Sequence, residues 1–176
     1  MSKDNWKERT ELLVGTEGIQ KLNDAHVLIA GLGGVGGYAA EQLCRAGIGK
    51  LTIVDSDSVQ SSNRNRQIIA LRSTQNQKKT EVFRQRLTDI NPDIRLIVKS
   101  DYLVDDTIDE LLKEQYDYVV DAIDTLTPKV QLLAKAKLKG LRIVSSMGAG
   151  GKFNPSRVEV SDISKSHHCK FAYIVR

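Results

Sequence analysis

The sequence predicts an α/β protein built on a doubly wound, mainly parallel sheet. Five short apolar runs, rich in β-branched residues, recur along the chain, and stretches of helical period lie between them. This alternation is typical of strand–helix–strand units, which pair their strands in parallel. The segment IAGLGGVGG closes the first apolar run and opens a helical stretch, so a glycine-rich turn is expected at a strand end.

The predicted elements follow the apolar periodicity in chain order. Ahead of the first strand, residues 5–23 predict one or two short amphipathic helices. The strands are predicted at residues 26–31, 50–55, 94–100, 116–123 and 141–147. The helices between them are predicted at residues 35–46, 78–90, 107–114 and 129–139. Asn91-Pro92 and Gly140 are expected stops after two of these helices.

The last part of the chain has a different pattern, GAGGKFNPSRVEVSD. The alternation in RVEV (157–160) predicts a half-exposed strand, so we expect an antiparallel C-terminal addition to the sheet. The chain is predicted to form one domain, in three parts: a helical segment (1–25), a nucleotide-binding core (26–147) and the start of a substrate-side region (148–176). Because the chain breaks off on Val-Arg, we expect that this last region is truncated.

Composition indicates a soluble globular protein. Of the 176 residues 40% are hydrophobic and 27% charged, and no apolar run approaches the roughly eighteen residues that span a bilayer. The polar start MSKDNWKERT lacks the apolar segment of a secretory signal, so we expect a cytoplasmic protein without a membrane partner. Cys44 and Cys169 lie far apart without any CxxC pair, which predicts free thiols. A formal charge of +4 permits an anionic partner.

The glycine loop predicts a nucleotide site. Gly31, Gly33 and Gly36 have G-x-G-x-x-G spacing between a predicted strand and helix, as in Rossmann-like folds. The first permits a tight turn, the second lets phosphates approach the backbone, and the third allows close helix packing. Gly34 widens the bare surface, and the helix N-terminus offers N–H groups to an anion. Asp55 ends the second strand about twenty residues on, where an acid accepts hydrogen bonds from a ribose.

Two cations follow the predicted ribose acid, where a dehydrogenase has no clear need for them. Arg66 lies in SSNRNRQ, and Lys79 lies at the start of the next predicted helix. A guanidinium binds phosphate oxygens bidentately and an ammonium acts as a point charge, so the pair suits an α-phosphate and a pyrophosphate leaving group. A solvated charged loop is the alternative interpretation.

Together, GLGGVGG, IVDSDSVQSSNRNRQ, KKTEV and VVDAIDTLTPK resemble the ThiF-like adenylating superfamily, over roughly residues 8–165. The resemblance implies ATP and Mg²⁺ as cofactors. The residues that it assigns to ATP are Gly31, Gly33, Gly34, Gly36, Asp55, Asp57, Asn63, Arg66 and Lys79. Asp55 would hold the ribose, Asn63 and Arg66 would meet the phosphates, and Lys79 would lie near the α-phosphate.

Two further residues take roles from the same resemblance. Asp124, in VVDAIDTLTPK, matches the aspartate that holds magnesium, and one carboxylate beside a triphosphate is chemically adequate for that ion. Arg9 matches an N-terminal arginine that reaches the ATP of the other subunit, so a homodimer is implied. The catalytic set implied by the family is therefore Arg66, Lys79, Asp124 and Arg9.

Within the superfamily, ERTELLVGTEGIQKL, DAIDTLTPK and SSMGAGGKFNPSRVEVSDISKS look most like the tRNA threonylcarbamoyladenosine dehydratase branch. The branch implies tRNA as partner and ATP-dependent cyclisation, with loss of water, of the threonine-derived side chain through an adenylated carboxylate. Activation of a ubiquitin-like sulfur carrier, in a sulfur-carrier or cysteine-desulfurase system, is the alternative, and the lack of CxxC pairs counts against it. The other alternative is an NAD-binding oxidoreductase or a non-catalytic nucleotide-binding module.

Some residues stand outside this pattern. Lys129 occupies a position where many relatives have Arg, and Arg64 one where Leu is common. The adjacent residues 167–169, His-His-Cys, contain metal-binding side chains, but neighbours in sequence cannot all face one ion, so no metal site is predicted there. Cys44, inside a predicted helix, is expected to be a small core residue.

Overall fold

The computed structural model describes residues 5–176, in which helices and strands alternate. The strands are β1 (His26–Ala30), β2 (Lys50–Val54), β3 (Arg95–Lys99), β4 (Tyr118–Asp121) and β5 (Ile143–Ser145). The helices are α1 (Glu8–Asp24), α2 (Gly36–Ala46), α3 (Lys79–Ile90), α4 (Asp105–Leu111), α5 (Leu126–Leu138) and α6 (Lys170–Val175). Short 3₁₀ turns lie at Ser61–Asn63, Pro155–Arg157 and Ile163–Lys165.

The five strands form one sheet in the order β3-β2-β1-β4-β5, and every neighbouring pair is parallel. The predicted α/β class with a parallel, Rossmann-like sheet is therefore confirmed. The chain adds β2 and β3 on one side of β1, and then β4 and β5 on its other side. The direction in which strands are added therefore switches between β1 and β4. In open sheets of this kind the crevice at the carboxyl ends of such strands is the ligand site.

The predicted antiparallel C-terminal addition is wrong. Within residues 5–176, the segment 157–160 forms no strand, and Val158 and Val160 are 78% and 93% exposed. The local cause is the 3₁₀ turn Pro155–Arg157, where the side chain of Asn154 accepts a hydrogen bond from the backbone N–H of Ser156 at 3.0 Å. The backbone N–H groups of Arg157 and Val158 also bond within this turn, at 3.3 and 3.2 Å, and the alternating valines are exposed to solvent.

The sheet has a hydrophobic core on each face, as a doubly wound fold requires. Successive residues of β1 alternate between them: Val27 and Ile29 join the cluster under α2 and α3, whereas Leu28 and Ala30 join the cluster under α4 and α5. Cys44 is fully buried in the first cluster, as expected, and burial raises its pKa to about 11. Among residues 5–176, no helix is long and apolar enough to cross a membrane.

Element ends differ from the sequence predictions by a few residues. The segment predicted as one or two helices at 5–23 forms two helical stretches, together α1, that meet at a kink at Gly15, whose φ and ψ are 73° and 171°. The expected stops hold: α3 ends at Ile90, directly before Asn91, and Gly140 follows α5 with a φ of 70°. Helix α5 begins at Leu126, three residues ahead of its predicted start, so its N-terminus lies next to the residues that follow β4.

A buried carboxylate fixes α3 against α2. Glu41 is 4% exposed and accepts hydrogen bonds from Arg86 Nε at 2.5 Å and Arg45 Nε at 2.9 Å. The hydrogen bond from Arg86 is the main cause that lowers the pKa of Glu41, outweighing the burial that would raise it. Because α2 begins at the glycine loop and α3 begins at Lys79, this contact sets the distance between the glycine loop and Lys79.

His26, the first residue of β1, is a buried titratable group. It is 7% exposed, with Nδ1 at 2.7 Å from the carbonyl oxygen of Gln115 and Nε2 at 2.9 Å from Thr52 Oγ1. Burial is the largest cause that lowers its pKa. The folded protein therefore favours the neutral imidazole.

We predict that His26 makes folding stability fall as the pH drops below about 6.5, the pKa of an unfolded-state histidine. Between that pH and the lower folded pKa, the unfolded chain binds a proton that the folded chain does not, and the slope approaches about 1.4 kcal/mol per pH unit. The free energy of unfolding, measured with urea across this pH range, should fall less steeply for His26→Gln than for the wild type. The exposed His167 offers the matched control, His167→Gln, and equal slopes in the two variants would contradict the assignment.

Candidate nucleotide-binding site

A cleft of 820 Å³ opens at the carboxyl ends of the strands. Its walls include the segments that follow all five strands, together with the start of α3. Volumes of this size are typical of sites for cofactors and small ligands. The parallel sheet explains the grouping, because it places the carboxyl ends of all its strands along one edge.

Nearly all residues that the sequence assigns to a nucleotide line this cleft. They are Gly31, Gly33, Gly34, Asp55, Asp57, Asn63, Arg66, Lys79 and Asp124. Gly36 is buried behind the cleft, as the first residue of α2. Arg9 is exposed on α1 and is not among the described residues that line the cleft.

The glycine loop is closely packed at Gly31 and Gly36 and open at Gly33. Gly31 has a φ of 89°, and a Cβ there would lie 2.7 Å from the carbonyl oxygen of Ala122 in the segment after β4. A Cβ on Gly36 would lie 1.8 Å from the carbonyl oxygen of Gly31, so the helix can approach the turn only without a side chain. At Gly33, in contrast, a Cβ would have Gln67 Nε2 as its nearest neighbour, at 3.8 Å. The open glycine faces the space that a phosphate would occupy.

Asp55 ties the glycine loop to the end of β2. Its Oδ2 accepts a hydrogen bond from the backbone N–H of Leu32 at 2.7 Å, and its Oδ1 accepts one from the backbone N–H of Asp57 at 2.8 Å. A carboxylate has about four acceptor sites, so these two bonds leave capacity for a ligand hydroxyl. Asp55 therefore shapes the cleft and can also accept from a ribose.

Lys79 brings a buried positive charge to the floor of the cleft. It is the first residue of α3 and is 5% exposed. Its Nζ lies 2.8 Å from Asp57 Oδ2 and 3.8 Å from Asp55 Oδ2. A backbone bond from Lys79 N–H to the carbonyl oxygen of Asp57, at 3.0 Å, holds the two segments together. The ammonium is thus held by exchangeable carboxylate contacts at a point where a phosphate group could take their place.

Arg66 covers the glycine loop from the segment that follows the 3₁₀ turn Ser61–Asn63. Its Cγ would be 3.4 Å from a Cβ on Gly34, and its guanidinium donates to Ser62 O at 3.2 Å and to Asn65 Oδ1 at 2.9 Å. The side-chain oxygen of Asn63 accepts from the backbone N–H of Gln60 at 3.0 Å, which directs this turn toward the cleft. An exposed guanidinium with five donors retains hydrogen bonds for an anion.

Gln67 is a lining residue that the sequence analysis missed. It is 7% exposed, and its Oε1 is a buried acceptor without a hydrogen-bond partner within the described chain. Buried polar atoms are rarely left unpaired, so this one suggests contact with water or a ligand. The sequence signal was its place directly after Arg66, but a glutamine in a polar segment gives no sign that it will be buried.

Asp124 lies in the short segment between β4 and α5. It is exposed and lines the cleft two residues ahead of the N-terminus of α5. Its neighbours are anchored by Asp121 and Lys129, whose side chains are both fully buried and form an ion pair. The sequence did not predict that Lys129 is buried, because a lysine on an amphipathic helix is usually solvent-exposed.

The C-terminal segment supplies the remaining wall through Gly148 and Phe171. Cys169 Sγ accepts from the backbone N–H of Ala172 at 3.4 Å; burial would raise the pKa of this thiol, but such backbone hydrogen bonds lower it overall. In the described part of the chain, no three His, Cys, Asp or Glu side chains are grouped to hold a metal ion, and residues 167–169 are no exception.

The arrangement suits a polyphosphate. Glycine-loop amides at the N-terminus of α2, the Arg66 guanidinium and the Lys79 ammonium line the same cleft, and Asp124 adds an exposed carboxylate to it. Preorganised cations of this kind stabilise negative charge that develops during phosphoryl or nucleotidyl transfer.

Comparisons with known proteins show the family of this chain. A model of the ThiF family matches residues 8–174. The tRNA threonylcarbamoyladenosine dehydratase of Bacillus subtilis (strain 168) is 39% identical over 168 residues, 96% of this chain and 66% of that relative. The sulfur carrier protein ThiS adenylyltransferase of Escherichia coli (strain K12) is 35% identical over 141 residues, 79% of this chain and 56% of that one.

The crystal structure of E. coli tRNA N6-threonylcarbamoyladenosine dehydratase in complex with ATP superposes with a TM-score of 0.95 at 38% identity. The superposition covers 100% of this chain and 74% of the other. This chain spans 66% and 62% of the length of the B. subtilis and E. coli dehydratases that it matches, slightly less than two thirds.

The two sides of the glycine loop predict opposite effects for two alanine substitutions. Gly36→Ala places a methyl against the Gly31 carbonyl and should destabilise the fold by roughly 1–3 kcal/mol or more. Gly33→Ala should leave the melting temperature within a few degrees but weaken nucleotide binding about tenfold, because its methyl enters the phosphate space. Thermal unfolding and calorimetry with ATP as the probe measure both. Equal losses of stability in the two variants would contradict this geometry.

Proposed function

Because this chain belongs to the ThiF family, we propose that it binds ATP·Mg²⁺ and uses it to activate a carboxylate as an acyl-adenylate. The observation that carries the proposal is the cleft itself, which gathers a glycine loop, a strand-end acid, two cations and an exposed carboxylate from five separate segments. Each of these groups has a counterpart in the needs of ATP: phosphates, ribose, leaving-group charge and metal.

In this proposal the phosphates lie against the open face of Gly33 and the N-terminus of α2, where backbone N–H groups meet them. Asp55 accepts from the ribose. Arg66 and Asn63 contact the phosphates from above, and Lys79 leaves Asp57 to meet the α-phosphate. Asp57 then acts as the resting partner that keeps the ammonium in place before ATP arrives.

Magnesium fits the donor set. It takes one or two carboxylates together with phosphate oxygens and water, and Asp124 supplies one such carboxylate beside the proposed phosphates. Without a group of three protein ligands in the described chain, most of the coordination would come from ATP and water. The ion would neutralise charge on the pyrophosphate that leaves.

The proposed reaction has two steps. A carboxylate oxygen attacks the α-phosphorus, the bond to the bridging oxygen breaks, and pyrophosphate leaves with that electron pair. Arg66 and Lys79 stabilise the charge that builds on these oxygens. A second nucleophile then attacks the acyl carbon, and AMP leaves with one oxygen of the original carboxylate. Adenylation thus converts a poor leaving oxygen into a good one.

We propose that the substrate is tRNA carrying threonylcarbamoyladenosine, and that the second nucleophile belongs to the same modified side chain. Closure within one side chain is favoured by proximity. Support comes from the dehydratase of B. subtilis, which is similar at 39% identity over 96% of this chain. The ThiS adenylyltransferase resembles less of the chain, 79%, at 35% identity, so activation of a sulfur carrier is the second candidate.

The remaining expectations are proposals of the same kind. We propose that residues 1–25 contribute to a homodimer, that 26–147 hold ATP, and that 148–176 begin the substrate side. A positive surface would meet the tRNA through its phosphates, consistent with the formal charge of +4. A cytoplasmic location and a link to a cysteine-desulfurase system stay predictions.

The function predicts a mass change in one nucleoside. Incubated with ATP·Mg²⁺ and tRNA that contains threonylcarbamoyladenosine, the full-length protein should remove one water from that nucleoside, as measured by mass spectrometry of the digested tRNA. Without ATP the mass should stay unchanged. If a carrier protein ending in Gly-Gly stimulates pyrophosphate exchange and tRNA does not, the substrate assignment is wrong and the second candidate takes its place.

Two arginines close in sequence provide the matched control. Arg66→Ala should lower the rate of water loss by roughly 10²–10³, because one preorganised charge is removed from the transition state. Arg72→Ala changes an exposed arginine outside the cleft lining and should retain the wild-type rate.

The role proposed for Arg9 predicts complementation between two inactive variants. In a homodimer whose sites each borrow Arg9 from the other subunit, Arg9→Ala and Asp124→Ala should both be inactive alone. Unfolded and refolded together in equal amounts, they form mixed dimers with one complete site, and about a quarter of wild-type activity should return. No recovery in a sample that contains mixed dimers would show that Arg9 serves its own subunit or none.

A further inference from the structure

The ion pair of Lys129 and Asp121 lies at the centre of a buried network. Both side chains are 0% exposed, with Nζ and Oδ2 at 2.5 Å. Asp121 Oδ2 also accepts from Ser145 Oγ at 2.5 Å, which links β4 to β5. Replacing such a pair by apolar residues is often neutral or stabilising, so stability alone is a weak reason for burying two charges here.

The network holds one peptide segment from both sides. Asp121 Oδ1 accepts the backbone N–H of Ile123 at 3.1 Å, and Lys129 Nζ donates to the carbonyl oxygen of the same residue at 3.0 Å. The N–H belongs to the peptide plane ahead of Ile123, and the carbonyl belongs to the plane that leads to Asp124. With both planes fixed, the Cα of Asp124 has a defined place at the edge of the cleft.

The same ammonium reaches the C-terminal wall. Lys129 Nζ lies 5.6 Å from the ring centroid of Phe171, which lines the cleft, while Lys129 itself is not among the lining residues of the described chain. A cation within about 6 Å of an aromatic ring is attracted to its face. One buried side chain therefore contacts both the segment that carries Asp124 and the C-terminal wall.

We propose that Lys129 is a positioning residue for Mg²⁺·ATP, which acts through Asp124 and does not touch the nucleotide. The inference rests on the proposed function, because it assigns a second residue to the same metal subsite. Without the ammonium, the Ile123 carbonyl loses its donor and Asp124 loses its fixed orientation. Because Lys129 holds the segment of the metal ligand Asp124, its loss should weaken the affinity for Mg²⁺ more than the affinity for the nucleotide alone.

The test compares Lys129→Met with the wild type in two measurements. By calorimetry, the affinity for ATP in excess EDTA should stay within about twofold, since Lys129 does not contact the nucleotide. The Mg²⁺ concentration that half-saturates pyrophosphate release should rise about tenfold or more, a usual consequence of losing a group that orients a metal ligand. Lys129→Arg, which keeps the charge and its donors, should restore most of the Mg²⁺ affinity.

Lys135→Met is the matched control on the same helix, because Lys135 pairs with the exposed Asp105 and Asp109 away from the cleft. It should leave both measurements unchanged. If Lys129→Met does not fold, as judged by circular dichroism, the double variant Asp121→Asn with Lys129→Met is tested in its place, because it removes both buried charges. An unchanged Mg²⁺ requirement in whichever variant folds would overturn the inference.

A double-variant comparison separates positioning from general damage. If Lys129 acts through Asp124, adding Lys129→Met to Asp124→Ala should not weaken Mg²⁺-dependent ATP binding further. Losses that multiply would overturn the inference while leaving the proposed function intact. If the wild-type protein binds no ATP at all, with or without Mg²⁺, the proposed function fails and this inference fails with it.

Discussion

The carboxylate of Asp55 makes the contact on which the site depends most. By accepting the N–H of Leu32 with one oxygen and the N–H of Asp57 with the other, it joins the segment after β1 to the segment after β2. The glycine loop lies on one side of this contact, and the partner of Lys79 lies on the other. A parallel sheet brings these strand ends near each other, but a hydrogen-bonded carboxylate gives them a fixed spacing.

Two lysines show how the fold handles buried charge near this contact. Lys79 is held by Asp57, a largely exposed carboxylate at the cleft, and in the proposed function it exchanges that partner for a phosphate. Lys129 is held by Asp121, which is fully buried, and it is enclosed with its partner. The first arrangement favours a cation that takes part in chemistry, and the second favours one that maintains shape. The difference lies in the exposure of the partner rather than in the lysine.

Much of this could be predicted from sequence because it depends on local pattern. Glycine spacing after an apolar run predicted the turn at the end of β1, and acids at strand ends predicted carboxylates along the edge of the sheet where the cleft lies. The resemblance to the ThiF family was confirmed by a family match over residues 8–174. The burial of Gln67 and Lys129 could not be predicted, since it arises from tertiary packing against the glycine loop and α6. The RVEV segment misled because alternation predicts a strand only where a neighbouring strand is available to pair.

The central claim is that a carboxylate is adenylated in this cleft, and oxygen transfer tests it most directly. Modified tRNA labelled with ¹⁸O in both oxygens of the threonine-derived carboxylate would be incubated with the full-length protein and ATP·Mg²⁺, and the mass of the AMP formed would be measured by mass spectrometry. The account predicts that AMP carries one ¹⁸O, because the carboxylate oxygen bonds to the α-phosphorus and leaves with it. Unlabelled AMP, or ADP in place of AMP, would contradict it.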